Sequence, residues 1–233
     1  MRKLFFVICI FAVAGTVIHA QDCATGYCPV TITAHHKAGS VAPRTVDIMY
    51  EVDKNAYSGT TQCWIARNLG ATTQATSVTD NTDASAGWFW QFNRLQGYYY
   101  NASVRAPATT WITAISESSD WLSVNDPCTL LFGPDWRLPT NTEWTNVIAN
   151  LSLTTGNLGY ASALKLHLNG VVNGSTGAVS GIGARGYYWS GTQVPTNGSR
   201  GYYTNVISAT QPVTASNPGT KPTGMGVRCL RTL

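Results

Sequence analysis

The distribution of apolar and polar positions predicts a chain rich in β-strands with one clear helix. Short stretches either alternate between apolar and polar residues or concentrate aromatic and β-branched residues. They predict strands at residues 29–34, 45–52, 62–68, 88–92, 163–168, 185–192, 202–208 and 225–231. Residues 72–86 are rich in Thr, Ser and Asp without periodicity, which predicts a loop. Residues 107–126 predict a mixed segment with one helical turn near Ile115.

The predicted helix covers residues 141–151. Apolar residues at positions 144, 147, 148 and 151 share one helical face. Thr140 is the expected N-cap, and Glu143 three residues later completes a capping box. Pro139 holds Leu138 extended, so the chain should enter this helix from a strand-like segment.

The N-terminus has the layout of a secretory signal peptide over residues 1–20. Arg2 and Lys3 precede an apolar run from residue 4 to 17, and a plausible cleavage site follows Ala20. This run is too short to span a membrane, which favours cleavage over a retained anchor. We therefore expect an exported protein that is secreted, surface-bound or periplasmic and not stably inserted in the membrane. An N-terminal extension at residues 21–44 and one domain at residues 45–233 would follow.

The charge pattern argues against nucleic acid as a partner. Charged residues make up 11% of the chain, against roughly 25% in typical soluble domains. The formal net charge is +4, falls to about +2 without the leader, and comes from scattered residues.

Export makes disulfides expected, but the number of cysteines leaves their pairing open. Five remain after removal of the leader, and two pairs with one free thiol allow fifteen arrangements. The preferred pair, Cys128 with Cys229, would close a loop of about 100 residues and contribute roughly 4–5 kcal/mol. Cys23 and Cys28 can close a local loop, which would leave Cys63 free. The spacing does not match a zinc site.

A series of motifs runs in order along the chain. They are CWIARNLGA at 63–71, ATS at 75–77 with Asp80, WQFNR at 90–94, the segment 121–128 ending in NDPC, WRLPTNTEW at 136–144, LKL at 164–166, GYYWS at 186–190 and GVRCLR at 226–231. In this order the chain resembles the Fibrobacter succinogenes major paralogous domain, which occurs in exported proteins of Bacteroidetes. Each motif alone is weak, whereas the ordered set covers about 170 residues.

The Arg-Leu-Pro-Thr-x-x-Glu-Trp element is also similar to one in formylglycine-generating enzymes and their non-catalytic relatives. The resemblance implies an α+β fold of the C-type lectin-like type, with a twisted antiparallel sheet, one or two helices and long loops. In that fold the last strand lies near the centre, which suits a bond from Cys229 back to Cys128.

The residues that carry catalysis in those enzymes do not recur here. Formylglycine-generating enzymes bind copper through reactive cysteines in C-terminal loops, whereas Cys229 is the only cysteine after Cys128. Related sulfoxide synthases use a histidine- and glutamate-rich iron site that His35, His36 and His167 do not reproduce. His35 and His36 should point to opposite faces of a strand, and His167 should be packed or hydrogen-bonded.

Other catalytic and metal-binding patterns are also weak. The sequence has no Gly-x-Ser-x-Gly elbow, and we expect no enzymatic activity. Carboxylates that could form a glycosidase pair are Glu51, Asp53, Glu117, Asp120 and Glu143. The sugar-binding calcium motifs of C-type lectins do not match at residues 211–212 or 125–126, and residues 80–83 lack the spacing of a calcium loop. We expect no cofactor, with a structural calcium ion left open and no ligands assigned.

The aromatic residues provide the remaining candidates for a binding surface. The chain has 8 Trp and 11 Tyr, side chains suited to sugar rings or protein partners. We expect Trp144 and Trp189 to be buried, and we predict ligand contacts at Tyr98, Tyr100, Arg200 and Tyr202.

Two classes of function follow from these features. The first is an exported, non-catalytic binding module for a glycan or an extracellular protein. The second is a structural subunit of an extracellular assembly, joined through a strand in residues 21–44; a degenerate enzyme is a remote third. An alternating exposed edge in that segment would favour assembly, and a loop face with several exposed aromatics would favour ligand binding.

Overall fold

A computed structural model describes residues 28–55, 62–102 and 104–233. Within these ranges the chain folds as a mixed α+β protein in which strands predominate. The predicted leader, Cys23 and residues 56–61 lie outside the described residues.

The described residues form fourteen strands and four short helices. The helices are α1 (Asp83–Ala86), α2 (Pro127–Phe132), α3 (Asn141–Asn150) and α4 (Gly156–Ala161). The strands are β1 (Thr31–His36), β2 (Val46–Asn55), β3 (Gln62–Ile65), β4 (Trp88–Gln91), β5 (Gly97–Asn101), β6 (Val104–Ala106), β7 (Trp136–Arg137), β8 (Asn169–Val172), β9 (Val179–Ile182), β10 (Gly186–Gln193), β11 (Arg200–Val206), β12 (Val213–Thr220), β13 (Gly224–Gly226) and β14 (Leu230–Thr232).

A five-stranded antiparallel sheet has the order β1-β2-β3-β14-β7. β1 alternates strictly between exposed and buried residues, as a strand with one solvent face should. It lies two residues beyond the predicted position and belongs to the segment predicted as an N-terminal extension. Within the described chain β1 is an edge strand that pairs with β2 alone.

A larger nine-stranded sheet has the order β12-β11-β10-β8-β13-β4-β5-β6, with β9 added beside β8. Most of its pairs are antiparallel, whereas β10 runs parallel to both β8 and β13. β4, β10 and β11 lie within two residues of their predicted positions. β12, β5 and β6 were not predicted.

The last segment of the chain crosses from one sheet to the other. The predicted strand at residues 225–231 is in fact two strands, because β13 lies inside the large sheet and β14 inside the small one. Between them, the carbonyls of Val227 and Cys229 accept hydrogen bonds from the amides of Leu69 and Ile65. The segment from β13 to β14 therefore connects the two sheets, and each of these strands lies between two neighbouring strands of its sheet.

Aromatic side chains fill the interior. One apolar cluster lies between the two sheets and includes Tyr50, Trp88, Trp90 and Trp189. A second lies beneath α3 and packs Trp144 with Trp64, Tyr188 and other residues. The indole N–H of Trp144 donates to the Trp189 carbonyl, and that of Trp189 donates to the Trp90 carbonyl. The predicted burial of Trp144 and Trp189 is confirmed.

The disulfides confirm one predicted pair and correct the other. Cys128 at the start of α2 bonds to Cys229 just before β14. Cys28 bonds to Cys63 in β3, so the predicted Cys23–Cys28 bridge and the free Cys63 are both wrong. The physical reason is the sheet: β1 pairs with β2 and β2 with β3, which returns the chain from residue 63 to the start of β1.

Helix α3 begins and ends close to its predicted limits. The Thr140 hydroxyl accepts from the Glu143 amide, and the Glu143 carboxylate accepts from the Thr140 amide, which completes the capping box. Two other predictions fail. Residues 163–168 are not a strand, and the region around Ile115 has no helical turn; a 3₁₀ turn lies at Ser123–Asn125 instead.

His36 is buried against Tyr50, Trp88 and Phe132 of the first cluster and is held in its neutral form. The Tyr50 hydroxyl accepts from the Gly70 amide, so its own proton is directed to His36 Nε2 at 2.9 Å. Burial, with the nearby His35 charge, lowers the pKa of His36 to about 4. Protonation in the folded state would disrupt this hydrogen bond.

We expect this histidine to make the fold sensitive to acid. A lowered folded-state pKa means that the unfolded chain takes up the proton first, so stability present above pH 6.5 is lost as the pH falls towards 4. Between pH 7.5 and 4.5 the wild-type chain should lose roughly 2–3 kcal/mol more unfolding free energy than His36→Phe. Urea unfolding at both pH values measures the difference. Equal losses would show that His36 does not titrate as its burial requires. Burial raises the pKa of Asp126 to about 6. Because Asp126 is present in both proteins, its titration contributes equally to the two losses.

Candidate functional site

The structure removes Tyr98 from the predicted ligand contacts. Tyr98 is only 2% exposed, because β5 lies between β4 and β6 and turns this side chain into the protein. Its ring contacts Trp111, the Arg105 guanidinium lies over it, and its hydroxyl accepts from Thr109. The prediction fails because an isolated aromatic triplet does not reveal which of its members face inward.

The other three predicted contacts remain partly exposed but do not form one site. Arg200 and Tyr202 lie on β11, and the Arg200 guanidinium donates to the Pro218 carbonyl on β12. Tyr100 lies on β5. The shortest path through paired strands from β11 to β5 passes β10, β13 and β4, which separates them by roughly 19 Å at the usual strand spacing. A single small ligand cannot contact both groups.

The opposite face of β11 carries a different group, in which two partly buried tyrosines meet. Tyr187 on β10 and Tyr203 on β11 have ring centroids 5.5 Å apart and ring planes inclined by 52°. Tyr203 is also edge-on to the buried Trp189. Both tyrosines pack against the first apolar cluster, and both residues remain partly exposed.

Carboxamide and hydroxyl groups border these rings. Asn205 is the cross-strand partner of Tyr187, and Asn217 is that of Tyr203. The exposed Thr214 hydroxyl donates to Asn205 Oδ1 at 2.6 Å, and Asn217 Nδ2 donates to the Thr214 carbonyl at 3.0 Å. Asn205 is itself buried, at 6% exposure, and supports Tyr187 and Thr214 from behind. We call the surface formed by Tyr187, Tyr203, Thr214 and Asn217, with Asn205 beneath it, the tyrosine surface.

Glycine makes room for the Tyr203 ring. A Cβ on Gly219 would lie 2.8 Å from Cδ1 of Tyr203 and 2.9 Å from Cε of Met225, closer than side chains pack. Burial and the neighbouring Tyr187 raise the pKa of Tyr203, whereas hydrogen bonding by Asn205 and the Arg200 charge lower it. The raised pKa keeps Tyr203 neutral at pH 7, so the surface presents this phenol beside carboxamide groups, which suits a polar, uncharged ligand.

The charged side chains of the Arg-Leu-Pro-Thr-x-x-Glu-Trp motif bond to other groups of the protein and stabilise the fold. The Arg137 guanidinium makes two hydrogen bonds to the Glu143 carboxylate, at 2.7 and 2.8 Å. The same carboxylate accepts from the Thr140 amide and hydroxyl and from Gln62 Nε2. The paired arginine lowers the pKa of Glu143 against the effect of its burial. Glu143 thus joins β7, the start of α3 and β3.

Other carboxylates considered for catalysis also have structural partners. Glu51 makes a two-point contact with Arg67, at 2.6 and 2.9 Å. Glu117 accepts from Arg94 and from Asn93 Nδ2. Asp120 accepts from the Gln193 amide. Glu51, Glu117 and Glu143 each neutralise a separate arginine, which is an arrangement for joining loops and strands.

Asp80 organises a loop through hydrogen-bond donors. Its two oxygens accept from the amides and hydroxyls of Thr76 and Thr82 and from the Ser85 hydroxyl. These donors hold the pKa of Asp80 well below its usual range despite the cost of burial. Both carboxylate oxygens of Asp80 already accept hydrogen bonds from groups of the protein. Among the described residues, no group of three or more His, Cys, Asp and Glu side chains could hold a metal ion.

The two adjacent histidines point to opposite faces of β1, as predicted. His35 is exposed and pairs with Asp47 on β2, whereas His36 is buried. His167 is packed in the interior, where burial and the Arg228 charge lower its pKa to about 4. Its Nδ1 lies 3.4 Å from the Lys165 carbonyl. Each imidazole belongs to a separate environment.

Comparison with known proteins does not assign this chain to a family. A scan against family models, a search of curated proteins and a search of solved structures each find no match. Within the described ranges, none of the helices has the length and apolar character needed to cross a membrane.

Alternation within strands could have shown which of these aromatic residues share a face, but not that the face is accessible. In the predicted strand at residues 185–192, Tyr187 and Trp189 share one face and Tyr188 the other; in the next predicted strand, Tyr203 faces opposite Tyr202. Which face is solvent-accessible depends on the position of the second sheet. Asn217 could not be assigned to the surface because β12 was not predicted.

Because Glu143 joins three elements, we expect Glu143→Gln to destabilise the fold by about 2 kcal/mol through loss of its charge-assisted hydrogen bonds. Urea unfolding at pH 7.5 measures this change. The matched control is Asp47→Asn, since the exposed His35–Asp47 pair should contribute at most about 0.5 kcal/mol. Equal effects of the two variants would contradict the role assigned to Glu143.

Proposed function

We propose that the protein is an exported, non-catalytic binding module that recognises a glycan through the tyrosine surface. The observation that carries this proposal is the pair of partly exposed, inclined tyrosine rings bordered by asparagine and threonine side chains. Aromatic rings can stack on the C–H faces of sugars, and carboxamides can both donate to and accept from sugar hydroxyls. An extracellular protein remains the other class of ligand within the same proposal.

We further propose that the fold is a C-type lectin-like variant of the Fibrobacter succinogenes major paralogous type. Three features support this assignment. The last strands are internal, Cys229 bonds back to Cys128, and residues of the shared motifs meet in contacts that build the core. The assignment extends to function only by analogy, so the ligand class rests on the tyrosine surface.

Export is supported by the chemistry of the cysteines. Both described bridges join residues far apart in sequence, with separations of 35 and 101. Disulfides of this kind form and persist in oxidising compartments. We propose secretion, with the periplasm or the cell surface as the other destinations.

The proposal is tested by a glycan-array screen of the purified chain, with and without EDTA, followed by calorimetry on the best sugar. Tyr187→Ala and Tyr203→Ala should each weaken binding at least tenfold, which corresponds to about 1.4 kcal/mol. Tyr203→Phe keeps the ring and should retain most of the affinity. EDTA should leave binding unchanged, because the surface offers phenols and carboxamides rather than carboxylates.

The matched control is Tyr202→Ala, one residue away on the opposite face of the same strand. If Tyr202→Ala or Arg200→Ala abolishes binding while Tyr203→Ala does not, the ligand occupies the site predicted from sequence. Absence of binding to every glycan would contradict the sugar as ligand.

A second candidate function, a structural subunit of an extracellular assembly, is favoured by a separate observation. The segment predicted to pair with a neighbour contains β1, which is an edge strand of the described part of the chain and has alternating exposed residues. Strand addition at such an edge is a common mode of assembly.

A further inference from the structure

The direction of the backbone groups in β1 follows from its pairing with β2. The Val52 amide donates to the Val30 carbonyl at 2.9 Å, and Thr31 is the partner of Glu51. In an antiparallel ladder, hydrogen-bonded pairs alternate with pairs whose backbone groups point outwards. The even-numbered residues of β1 therefore bond to β2, and Thr31, Thr33 and His35 direct their N–H and C=O groups to the free edge.

The same three residues also have exposed side chains. Two exposed apolar residues lie beside them, Val30 at 76% and Met49 at 53% exposure. Native edge strands are usually protected by proline, lysine or a bulge within the strand. Here Pro29 and Lys37 stand outside its two ends, and the six paired residues of β1 run without a register shift. Among the residues that the structure describes, no strand covers this edge, which leaves it available for a further strand.

We propose that this edge binds β1 of a second copy of the chain, in a two-fold symmetric dimer whose small sheets continue into one ten-stranded sheet. A two-fold axis through Thr33 would pair it with Thr33 of the second copy, and Thr31 with His35 of the second copy. All three outward-facing residues then meet outward-facing residues, as an antiparallel ladder requires. The proposal deepens the second candidate function and is independent of the tyrosine surface.

The side chains on the exposed face suit this register. The central row would read Met49, Thr33, Thr33 and Met49 across the four strands, because Met49 is the partner of Thr33 within one chain. Threonine pairs of this kind stabilise antiparallel sheets. The outer rows would read Glu51, Thr31, His35 and Asp47, since Thr31 pairs with Glu51 and His35 with Asp47. In every row, no like charges stand directly opposite one another.

A proline at position 33 tests the proposal selectively. The Thr33 amide points to the free edge, so Thr33→Pro removes a donor for the dimer while leaving the β1–β2 ladder intact. Thr33→Val, which keeps the N–H, is the matched control. Sedimentation equilibrium of the full chain from 1 to 100 µM should show a dimer for the wild type and Thr33→Val. Thr33→Pro should raise its dissociation constant at least tenfold.

Two further variants guard against a folding defect in Thr33→Pro. Thr33→Glu places like charges on the two-fold axis and should yield monomers with an unchanged circular dichroism spectrum. Thr33→Cys should form a disulfide-linked dimer on non-reducing gels, whereas the exposed Thr214→Cys should not. A wild-type chain that stays monomeric at 100 µM overturns the proposal. So does a dimer that is unaffected by both Thr33→Pro and Thr33→Glu.

Discussion

The buried guanidinium of Arg228 is the interaction on which the two-sheet architecture depends. This residue is fully buried on the segment that crosses from β13 to β14. Its nitrogens donate to Asn68 Oδ1 and to the carbonyls of Ile65, Leu164 and Lys165, at 2.6 to 3.2 Å. Burial lowers its pKa to about 10, so it stays charged at neutral pH. A buried charge without a counter-charge is costly unless protein dipoles replace its hydration. The loops around Arg228 supply these dipoles, because their carbonyls point to the guanidinium.

This requirement explains why one strand prediction failed. The alternation at residues 163–168 is typical of a strand, yet Lys165 adopts a φ of +50° and the chain turns there. The turn brings the carbonyls of residues 164 and 165 onto the Arg228 guanidinium. A tertiary contact thus overrides a local pattern. By contrast, α3 was predicted almost to the residue because its start and its buried face are both encoded locally. Helix α2 had a local signal as well, Asp126 as N-cap followed by Pro127.

The resemblance motifs predict contacts within the fold far better than they predict a site. Asn68 holds Arg228, Glu143 holds Arg137, and the ring of Trp88 covers the spot where a Cβ of Gly70 would stand. The hydrogen-bonding groups of these residues already have partners inside the protein, and the space beside Gly70 is filled. The Cys128–Cys229 pair could be predicted for the same reason, since it belongs to this framework. Cys28–Cys63 could not, because it depends on the way β1 folds back on β2 and β3.

The abundance of aromatic residues indicates a core before it indicates a binding surface. Five of the eight tryptophans are among the largest fully buried side chains, and the predicted contact Tyr98 is buried as well. The two surfaces proposed for partner binding lie elsewhere, on the partly exposed Tyr187–Tyr203 face of β10–β12 and along the edge of β1. Both surfaces arise from the way the strands are combined. Local sequence could therefore show that strands exist near β1, β10 and β11 but not at β12, and only the sheet order shows which of their faces and edges remain accessible.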